Sequence, residues 1–375
     1  MTPKVSVLMA AKNAAATIAS ALRSVQRQSL SDWQCVVIDD HSTDETKIIA
    51  DEFAGADSRF SIYSLADIPV LNFTASPPGP DNPATSPQST TGDLQSLVDA
   101  RNYGLFQCNA DWIAILDADD CMHKHRLALQ LNHATSHNAD VVGSRVRYFP
   151  RRLVGDGMLR YESWLNKQTA ASIFNERFIE MPIAHPTMLI RRSLLDEIGG
   201  YQNCGWPEDY DLFLRLAAAG ARFAQVAKPL LSWRWQEHST SRSHPAYSLA
   251  AIARCRAHYL AHHFLTEYGQ YVQWGFGDTG SELTGNLRAL GKNMAAVIEV
   301  HPGRIGQRIH GARVFHPDDY FKNATEIYPI LVSVAGEKPR LQIRKYFDDL
   351  GLGTSQLSKS LPARWREGRE YIFTA

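Results

Sequence analysis

Residues 112–120, W-I-A-I-L-D-A-D-D, place a short apolar run directly before three aspartates. Two earlier stretches also have apolar residues followed by polar ones, V-S-V-L-M-A-A-K-N (5–13) and W-Q-C-V-V-I-D-D (33–40). Apolar residues at helical spacing, such as Ile18 and Leu22, fill the segments between these runs. Asn13 is the expected cap of the first helix, and Ser42-Thr43-Asp44-Glu45 is expected to form a capping box at the start of the second. Strands that alternate with helices predict an α/β fold, with a mostly parallel sheet covered by helices on both faces.

Two acidic clusters follow predicted strands, Asp39-Asp40 and Asp117 to Asp120. Ligands of open parallel sheets bind beyond the carboxyl ends of the strands, so we expect both clusters to line one crevice. The second cluster suits a hard divalent cation such as Mn²⁺ or Mg²⁺, although Asp119 and Asp120 could instead cap the next helix. Asp39 and Asp40 could accept from a base N–H or a ribose hydroxyl, or cap the following turn.

A third acidic pair, Glu208-Asp209, opens a predicted helix behind Pro207. The helix dipole favours acidic residues in a first turn, so a structural role is sufficient to explain them. The functional alternative is a general base that removes a proton from an attacking hydroxyl. Arg101 lies on a helix predicted over about 94–106, where it could pair with a phosphate or with a neighbouring acid.

The composition limits the class of protein. The 375 residues contain 39 Lys and Arg against 39 Asp and Glu, which argues against binding nucleic acid by bulk electrostatics. Five scattered cysteines without a C-x-x-C pair predict reduced thiols rather than disulfides. There is no signal-peptide pattern, and no apolar stretch approaches the roughly 18 residues of a membrane span. We expect a cytoplasmic protein, with peripheral association at the inner membrane left open.

The pattern divides the chain into two domains. We predict a first domain over 1–243, a helical linker over 244–268, and a second α/β domain over 269–375. Residues 74–93 are rich in Pro, Ser and Thr and predict an exposed insertion loop within the first domain, with a lid as the alternative.

The second domain carries the pattern Gly275-x-Gly277-x-x-Gly280 after a predicted strand, with Glu299 at the end of the next strand. This order resembles a Rossmann fingerprint, in which the glycines admit a pyrophosphate and the acid meets a ribose hydroxyl. The domain has only about a hundred residues and no hydride-transfer constellation. Nucleotide binding and a role in assembly both remain open, as does fusion of an NAD(P)-dependent domain to the first domain.

Residues 4–242 resemble the family 2 glycosyltransferases of the GT-A fold. The resemblance rests on several motifs in the family's order: V-S-V-L-M-A-A-K-N-A-A-A-T-I (5–18), V-V-I-D-D-H-S-T-D-E-T (36–46), A-R-N-Y-G-L (100–105), W-I-A-I-L-D-A-D-D (112–120), H-P-T-M-L-I-R-R-S-L-L-D-E-I-G-G-Y (185–201), W-P-E-D-Y-D-L-F-L-R-L (206–216) and H-S-T-S-R (238–242). It departs from the family pattern at Lys12, where a Tyr often precedes the Asn, and at the insertion.

The resemblance implies transfer of a hexosyl or N-acetylhexosaminyl group, with inversion, from a nucleotide-diphosphate sugar to an acceptor hydroxyl. UDP is the default nucleotide, and a carbohydrate or lipid-linked acceptor in glycan or cell-surface polysaccharide synthesis is implied. Ala11 and Asn13 would lie in the first nucleotide-binding loop, Asp40 would contact the base with Asp39 beside it, and Arg101 would approach the nucleotide.

The same resemblance assigns the metal and the chemistry. Asp117 and Asp119 would form the metal-associated D-x-D for Mn²⁺ or Mg²⁺, with Asp119 as the direct ligand and His238 as a further contact to diphosphate or metal. Asp209 would be the base, with Glu208 in support. A non-catalytic nucleotide-sugar-binding module is the alternative function. A homo-oligomer is compatible with the pattern, and no nucleic-acid partner or transmembrane segment is expected.

Overall fold

The computed structural model describes residues 2–68, 92–236, 240–323, 328–351 and 371–375. It divides into two compact units. The first comprises residues 1–174 and 181–247, and the second comprises 175–180 and 248–375. Of the predicted insertion at 74–93, residues up to 91 lie outside the described part, while Gly92 and Asp93 begin a helix.

The first unit alternates strands and helices along most of its length. Its strands are β1 (Val5–Ala11), β2 (Trp33–Asp39), β3 (Phe60–Ser64), β4 (Trp112–Ile115), β5 (Cys121–Met122), β6 (Val141–Phe149), β7 (Leu189–Arg191) and β8 (Phe223–Arg234). Its helices are α1 (Ile18–Gln26), α2 (Thr46–Ala56), α3 (Gly92–Gln107), α4 (Arg126–Ser136), α5 (Asp156–Asn166), α6 (Ala170–Asn175), α7 (Arg192–Glu197), α8 (Glu208–Ala218) and α9 (Thr240–Ser243).

Eight strands form one sheet in the order β3-β2-β1-β4-β7-β6-β8-β5. The first four are parallel to one another, β7 is antiparallel to β4 and to β6, and β6 and β8 are parallel. The short strand β5 is antiparallel to β8 at the sheet edge. The predicted α/β fold with a mostly parallel sheet is thus confirmed, and the two acidic clusters follow the carboxyl ends of β2 and β4, the parallel strands on either side of β1.

Two predicted helix caps are wrong. Asn13 was expected to cap α1, but that helix begins at Ile18 with Thr17 at its N-cap position, and Asn13 has a φ of 49°. Residues 42–45 were expected to form a capping box, whereas α2 begins at Thr46 without a side-chain cap from Glu45. Both loops instead bind each other, as the site geometry shows below.

The second unit has its own sheet and core. Its strands are β9 (Gln270–Trp274), β10 (Asn293–Ile298), β11 (Arg308–Ile309), β12 (Ala312–Phe315), β13 (Ile330–Val332) and β14 (Tyr371–Phe373), and its helices are α10 (Leu249–Tyr259, continued by a π-turn over Leu260–Phe264), α11 (Asp278–Ala289), α12 (Pro317–Asn323) and α13 (Glu337–Asp349). The strand order is β11-β12-β10-β9-β13-β14, with all pairs parallel except β11–β12. The helix predicted within the linker is therefore part of this compact unit.

No helix in the described ranges is both long enough and apolar enough to cross a bilayer.

Helix α3 packs closely on the sheet at Gly104. A Cβ built on Gly104 would lie 2.2 Å from Leu8 Cδ1 and 3.1 Å from Ile38 Cγ1, and both of those side chains are buried. The absence of a side chain lets α3 approach β1 and β2, and this approach places Arg101, one turn earlier, beyond the ends of the strands.

We predict that Gly104→Ala lowers the free energy of unfolding by about 1–3 kcal/mol, because overpacking outweighs the better helix propensity of Ala. The control is Gly55→Ala on α2, where a Cβ meets nothing within 4 Å and should be neutral or slightly stabilising. Urea unfolding of both variants tests this, and equal stability of the two variants would contradict the packing argument.

Candidate active site

The loops after β1 and β2 bind each other through side-chain hydrogen bonds. Asn13 Oδ1 accepts from the Thr43 N–H at 2.8 Å, and the Asn13 N–H donates to Ser42 Oγ at 3.0 Å. The Ala14 and Ala15 N–H groups donate to Thr46 Oγ1 and Asp44 Oδ2. These contacts fix the predicted first nucleotide-binding loop, and Ala11 at the end of β1 accepts from the Asp40 N–H at 2.8 Å.

Asp39 and Asp40 are both buried but differ in how their carboxylates are satisfied. Asp40 accepts from Ser96 Oγ, contacts His41 Nδ1 at 3.1 Å and lies 3.7 Å from Lys12 Nζ. Asp39 Oδ2 accepts from Ser64 Oγ at 3.3 Å, while its Oδ1 has no hydrogen-bond partner among the described residues. A buried carboxylate oxygen without a partner is costly, so Asp39 is the better placed of the two to accept from a ligand N–H or hydroxyl.

Lys12, the departure from the family pattern, lies between two acids. Its ammonium donates to Asp93 at 2.8 Å and neighbours Asp40, and these partners raise the pKa of Lys12. Lys12 therefore joins the first loop to the start of α3 as a cation.

Asp117, Asp119 and Asp120 bring three carboxylate oxygens within 4.8 Å of one another. Burial and the neighbouring acids raise the pKa of Asp117 to about 6, although Arg101 opposes the shift. Burial also raises the pKa of Asp119, and burial with repulsion from Asp119 and Asp117 raises that of Asp120. A cluster of oxygen ligands whose negative charges repel one another fits a hard divalent cation, which would remove that repulsion.

The segment at the end of β8 holds this cluster in place. The Arg234 N–H donates to Asp120 Oδ1 at 2.7 Å, and Arg234 Nε donates to the Asp119 carbonyl at 2.7 Å. Gln236 Nε2 donates to Asp119 Oδ2 at 2.7 Å. These partners lie more than a hundred residues from the aspartates, so sequence reasoning missed them, and only their position before the H-S-T-S-R motif hinted at a role.

Arg126 supplies a buried positive charge behind the cluster. It is fully buried, and its guanidinium donates to Gln130 Oε1 at 2.8 Å and to the Ile115 carbonyl at 2.9 Å. Burial lowers the pKa of Arg126 to about 9, against the opposing effect of Asp120 and Asp117. It therefore stays charged at neutral pH and partly offsets the buried negative charge of the cluster.

Arg101 connects the aspartate cluster to the Glu208-Asp209 pair. Its guanidinium donates to Glu208 Oε1, lies 3.9 Å from Asp117 Oδ1, and is centred 5.1 Å from the Tyr201 ring. Tyr247 Oη donates to Glu208 Oε2 at 2.6 Å. Glu208 is fully buried and has both oxygens engaged, so its geometry is that of an anchor rather than of a group open to substrate.

Asp209 is the partly exposed member of the pair. Burial and the neighbouring Glu208 raise the pKa of Asp209 to about 7, although Arg101 opposes the shift. A carboxylate with a pKa near neutral can accept a proton from a hydroxyl more readily than an ordinary aspartate can.

Aromatic side chains near Glu208 and Asp209 make buried hydrogen bonds. His185 Nε2 and Tyr201 Oη are 2.8 Å apart, and burial lowers the pKa of His185 far enough to keep it neutral. Trp206 Nε1 donates to Asp211 Oδ1 at 2.9 Å, and Arg215 Nε donates to Asp211 Oδ2 at 2.7 Å. The predicted metal or diphosphate contact His238 lies outside the described residues.

The three glycines of the predicted fingerprint in the second unit have different environments. Gly275 has a φ of 82°, and a Cβ there would lie 3.1 Å from the Ser333 carbonyl oxygen at the end of β13. A Cβ on Gly280 would lie 2.8 Å from the Gly275 carbonyl oxygen, whereas one on Gly277, directly before α11, meets nothing within 4 Å. The fingerprint therefore combines a tight turn, close helix packing and open space above a helix N-terminus.

Glu299 follows β10, and both of its carboxylate oxygens contact groups of the protein. Its Oε1 accepts from the Val300 N–H at 2.9 Å, and its Oε2 lies 3.5 Å from Arg304 Nη1, which also donates to the Phe276 carbonyl. Gln273, fully buried on β9, donates to the Gly275 carbonyl, while its Oε1 has no hydrogen-bond partner among the described residues.

We predict that Arg101→Met lowers the free energy of unfolding by about 3–5 kcal/mol, because Glu208 would stay buried without its cationic partner. The control is Arg222→Met, which removes an exposed partner of Asp140 while Arg191 remains, and it should lower the free energy of unfolding far less. Urea unfolding of both variants measures the difference, and equal losses would show that the Arg101–Glu208 pair contributes no more than a surface pair.

Comparisons with known proteins agree on the first unit. The model of the family "Glycosyl transferase family 2" matches residues 6–66 and 94–199. The putative glycosyltransferase EpsE of Bacillus subtilis is 26% identical over 254 residues, which are 66% of this chain and 78% of EpsE. The O-antigen biosynthesis glycosyltransferase WbnJ of Escherichia coli is 25% identical over 248 residues, which are 65% of this chain and 84% of WbnJ.

A third relative, the UDP-Gal:alpha-D-GlcNAc-diphosphoundecaprenol beta-1,3-galactosyltransferase of Escherichia coli, is 24% identical over 245 residues, 64% of this chain and 78% of that protein. Among solved structures, residues 1–349 of S. aureus TarS in complex with UDP-GlcNAc superpose with a TM-score of 0.51 at 19% identity, covering 76% of this chain and 71% of that one. The first unit therefore has the GT-A fold, and these similarities support a glycosyltransferase whose sequence is similar to family 2.

Proposed function

We propose that this glycosyltransferase moves a sugar, with inversion, from a UDP-sugar to a hydroxyl of a lipid-linked or other carbohydrate acceptor. The observation that carries the proposal is the link made by Arg101, which contacts both Glu208 and Asp117. This link holds a candidate base and a candidate metal site in one crevice at the carboxyl ends of the parallel strands, where open α/β sheets bind their ligands.

In the proposed reaction Asp209 accepts the proton of the acceptor hydroxyl as that oxygen attacks the anomeric carbon, and the bond to the nucleoside diphosphate breaks on the opposite face. Glu208, bound by Arg101 and Tyr247, keeps the first turn of α8 in position. Asp119 and Asp117 would hold Mn²⁺ or Mg²⁺, which supplies charge neutralisation for the departing diphosphate.

Donor recognition is assigned to the first two loops. The loop over Ala11 to Asn13 would face the nucleotide, and Asp39, with its buried Oδ1 lacking a partner, would accept from the base or the ribose. Asp40 would act behind it through Lys12 and Ser96. Arg101, whose described partners are carboxylates, would orient the acidic groups rather than bind the nucleotide directly.

Relatives support the choice of donor and acceptor. One is named for UDP-Gal and a diphosphoundecaprenol acceptor, another for UDP-Glc and the same type of lipid-linked acceptor, and TarS was solved with UDP-GlcNAc. We therefore propose a hexosyl or N-acetylhexosaminyl transfer in the synthesis of a cell-surface glycan.

We predict that Asp209→Asn lowers kcat by about 10²–10⁴-fold, because the amide cannot accept the acceptor proton. The wild-type rate should fall as the pH drops through about 7, since Asp209 becomes protonated there. Turnover of a panel of UDP-sugars with Mn²⁺ measures both effects, and unchanged turnover in Asp209→Asn would remove Asp209 as the base.

The matched control is Asp119→Asn. This variant should lose Mn²⁺-dependent binding of UDP, measured by calorimetry, whereas Asp209→Asn should retain it, because only Asp119 belongs to the cation site. If wild-type protein binds UDP-sugars but transfers and hydrolyses none of them, the chain is the alternative, a non-catalytic nucleotide-sugar-binding module.

For the second unit we propose a Rossmann-like fold that binds the phosphates of a nucleotide above Gly277. Two features of the described residues support this proposal: a Cβ at Gly277 would meet none of them within 4 Å, and none of them binds Gln273 Oε1. Glu299 would meet the ribose after exchanging its contact with Arg304.

We predict that Gly277→Val abolishes nucleotide binding to this unit without loss of stability, because the φ of −93° suits any residue and a Cβ there meets no atom of the described residues within 4 Å. Thermal shift and spectral titration with NAD(P) and ADP test it. Gly280→Ala is the contrasting variant, which should destabilise the unit through the Gly275 carbonyl. If neither NAD(P) nor ADP changes the melting temperature or the spectrum of the wild type, the fused-oxidoreductase alternative is excluded. A role of the second unit in assembly would then remain.

A further inference from the structure

Two cavities lie on either side of the edge strand β5. One, of about 550 Å³, is lined by α1 and β5 residues together with Lys124, and the other, of about 560 Å³, is lined by residues around the end of β6. Cys121 lines both, so the two cavities are adjacent across one strand.

The charged groups that line these cavities are all cations. Arg23, Arg27 and Lys124 line the first, and Arg147 and Arg151 line the second. Among the residues that the structure describes, no carboxylate side chain lines either cavity. Since the whole chain is neutral, this is a local concentration of positive charge rather than a consequence of composition.

Four of these cations have no ion-pair partner among the described residues: Arg23, Arg27, Lys124 and Arg147, which we call the basic strip. Arg151 differs, since it donates to the Glu162 carboxylate at 2.8 and 2.6 Å. Some other surface cations of this unit have such partners, as in the pairs Lys4–Asp32, Lys47–Asp51 and Arg222–Asp140. The strip therefore leaves unpaired positive charge free for an external anion.

The fold does not explain the strip by itself. A helix dipole favours cations at the end of α1, which accounts for Arg23 and Arg27. It does not account for Lys124 after β5 or for Arg147 on β6, which come from other elements. Arg147 and Cys121 both pair with Ser232 of β8, so they lie in one row across three strands.

The strip begins beside the candidate metal cluster. Cys121 directly follows Asp119 and Asp120 in sequence. Arg234, which binds both aspartates, also donates to Ser20 Oγ on the wall of the first cavity at 3.4 Å. An anionic surface held by the strip would therefore lie at the rim of the transfer site.

We propose that the basic strip docks the enzyme on an anionic phospholipid bilayer. Exposed, flexible cations from several elements suit a diffuse layer of phosphate headgroups better than one enclosed phosphate. The apolar face of α1, including Ile18 and Leu22, is buried in the core, so the contact is electrostatic rather than insertional. The choice of a bilayer over a soluble polyanion rests on the lipid-linked acceptor proposed above.

The test is flotation of the full chain with vesicles of phosphatidylcholine, with and without phosphatidylglycerol. Binding should require phosphatidylglycerol and be released by high salt. The variant Arg23→Gln/Arg27→Gln/Lys124→Gln should bind about 100-fold more weakly, at about fivefold for each cation removed. The control Arg288→Gln/Lys338→Gln/Lys345→Gln removes the same charge from exposed positions of α11 and α13 and should bind like the wild type.

Three results would overturn the proposal. The first is equal binding to vesicles with and without phosphatidylglycerol, and the second is equal vesicle binding by the strip variant and the control variant. The third is saturable binding of inorganic pyrophosphate by the wild type, lost in the strip variant, with no binding to vesicles. The last result would assign the strip to a discrete soluble phosphate ligand. Mn²⁺-dependent UDP binding by the strip variant should match the wild type. If no UDP-sugar is turned over but vesicle binding still depends on the strip, the proposed function fails and the docking proposal stands.

Discussion

Glu208 is fully buried at the start of α8, and two groups from distant parts of the chain donate to its carboxylate, the Arg101 guanidinium and the Tyr247 hydroxyl. A buried carboxylate is tolerated only when it is paired and hydrogen-bonded, so α3, α8 and the segment ending at Tyr247 must come together for the unit to fold. The same requirement brings Asp117 and Glu208, the residue before Asp209, to one guanidinium. Folding and assembly of the candidate active site are therefore one event.

Negative charge is concentrated in this crevice. The carboxylates of Asp117, Asp119 and Asp120 lie close together. Arg126 is a buried cation behind them, and its Nη1 has no hydrogen-bond partner among the described residues. Burial raises the pKa values of all three aspartates, and repulsion from neighbouring acids adds to the shift at Asp117 and Asp120. A divalent cation would lower them again, so the cluster is better suited to binding a cation than to supporting the fold alone.

The sequence predicts the strands and acidic clusters of the site well, but it does not predict the distant residues that hydrogen-bond to them. Apolar runs that end in Asp39 and Asp117 were enough to predict the strands and the shared edge, because period and strand ends are local properties. Arg234 and Tyr247 were not predicted as partners of Asp119 and Glu208, since nothing local marks a contact across more than thirty-five residues. The cap predicted at Asn13 failed for the same reason: a tertiary partner, the loop after β2, took the side chain.

The balance of 39 cations and 39 acids argued against bulk electrostatic binding, but a total says nothing about which charges are paired. Once the fold pairs Lys4, Lys47 and Arg222 with nearby carboxylates, those cations offer little to a partner. Four of the cations beside β5 have no ion-pair partner among the described residues, and they lie near the aspartate cluster of residues 117–120. A neutral protein can in this way present a local anion-binding face next to a cation-binding site, an arrangement suited to a substrate whose acceptor is carried on an anionic surface.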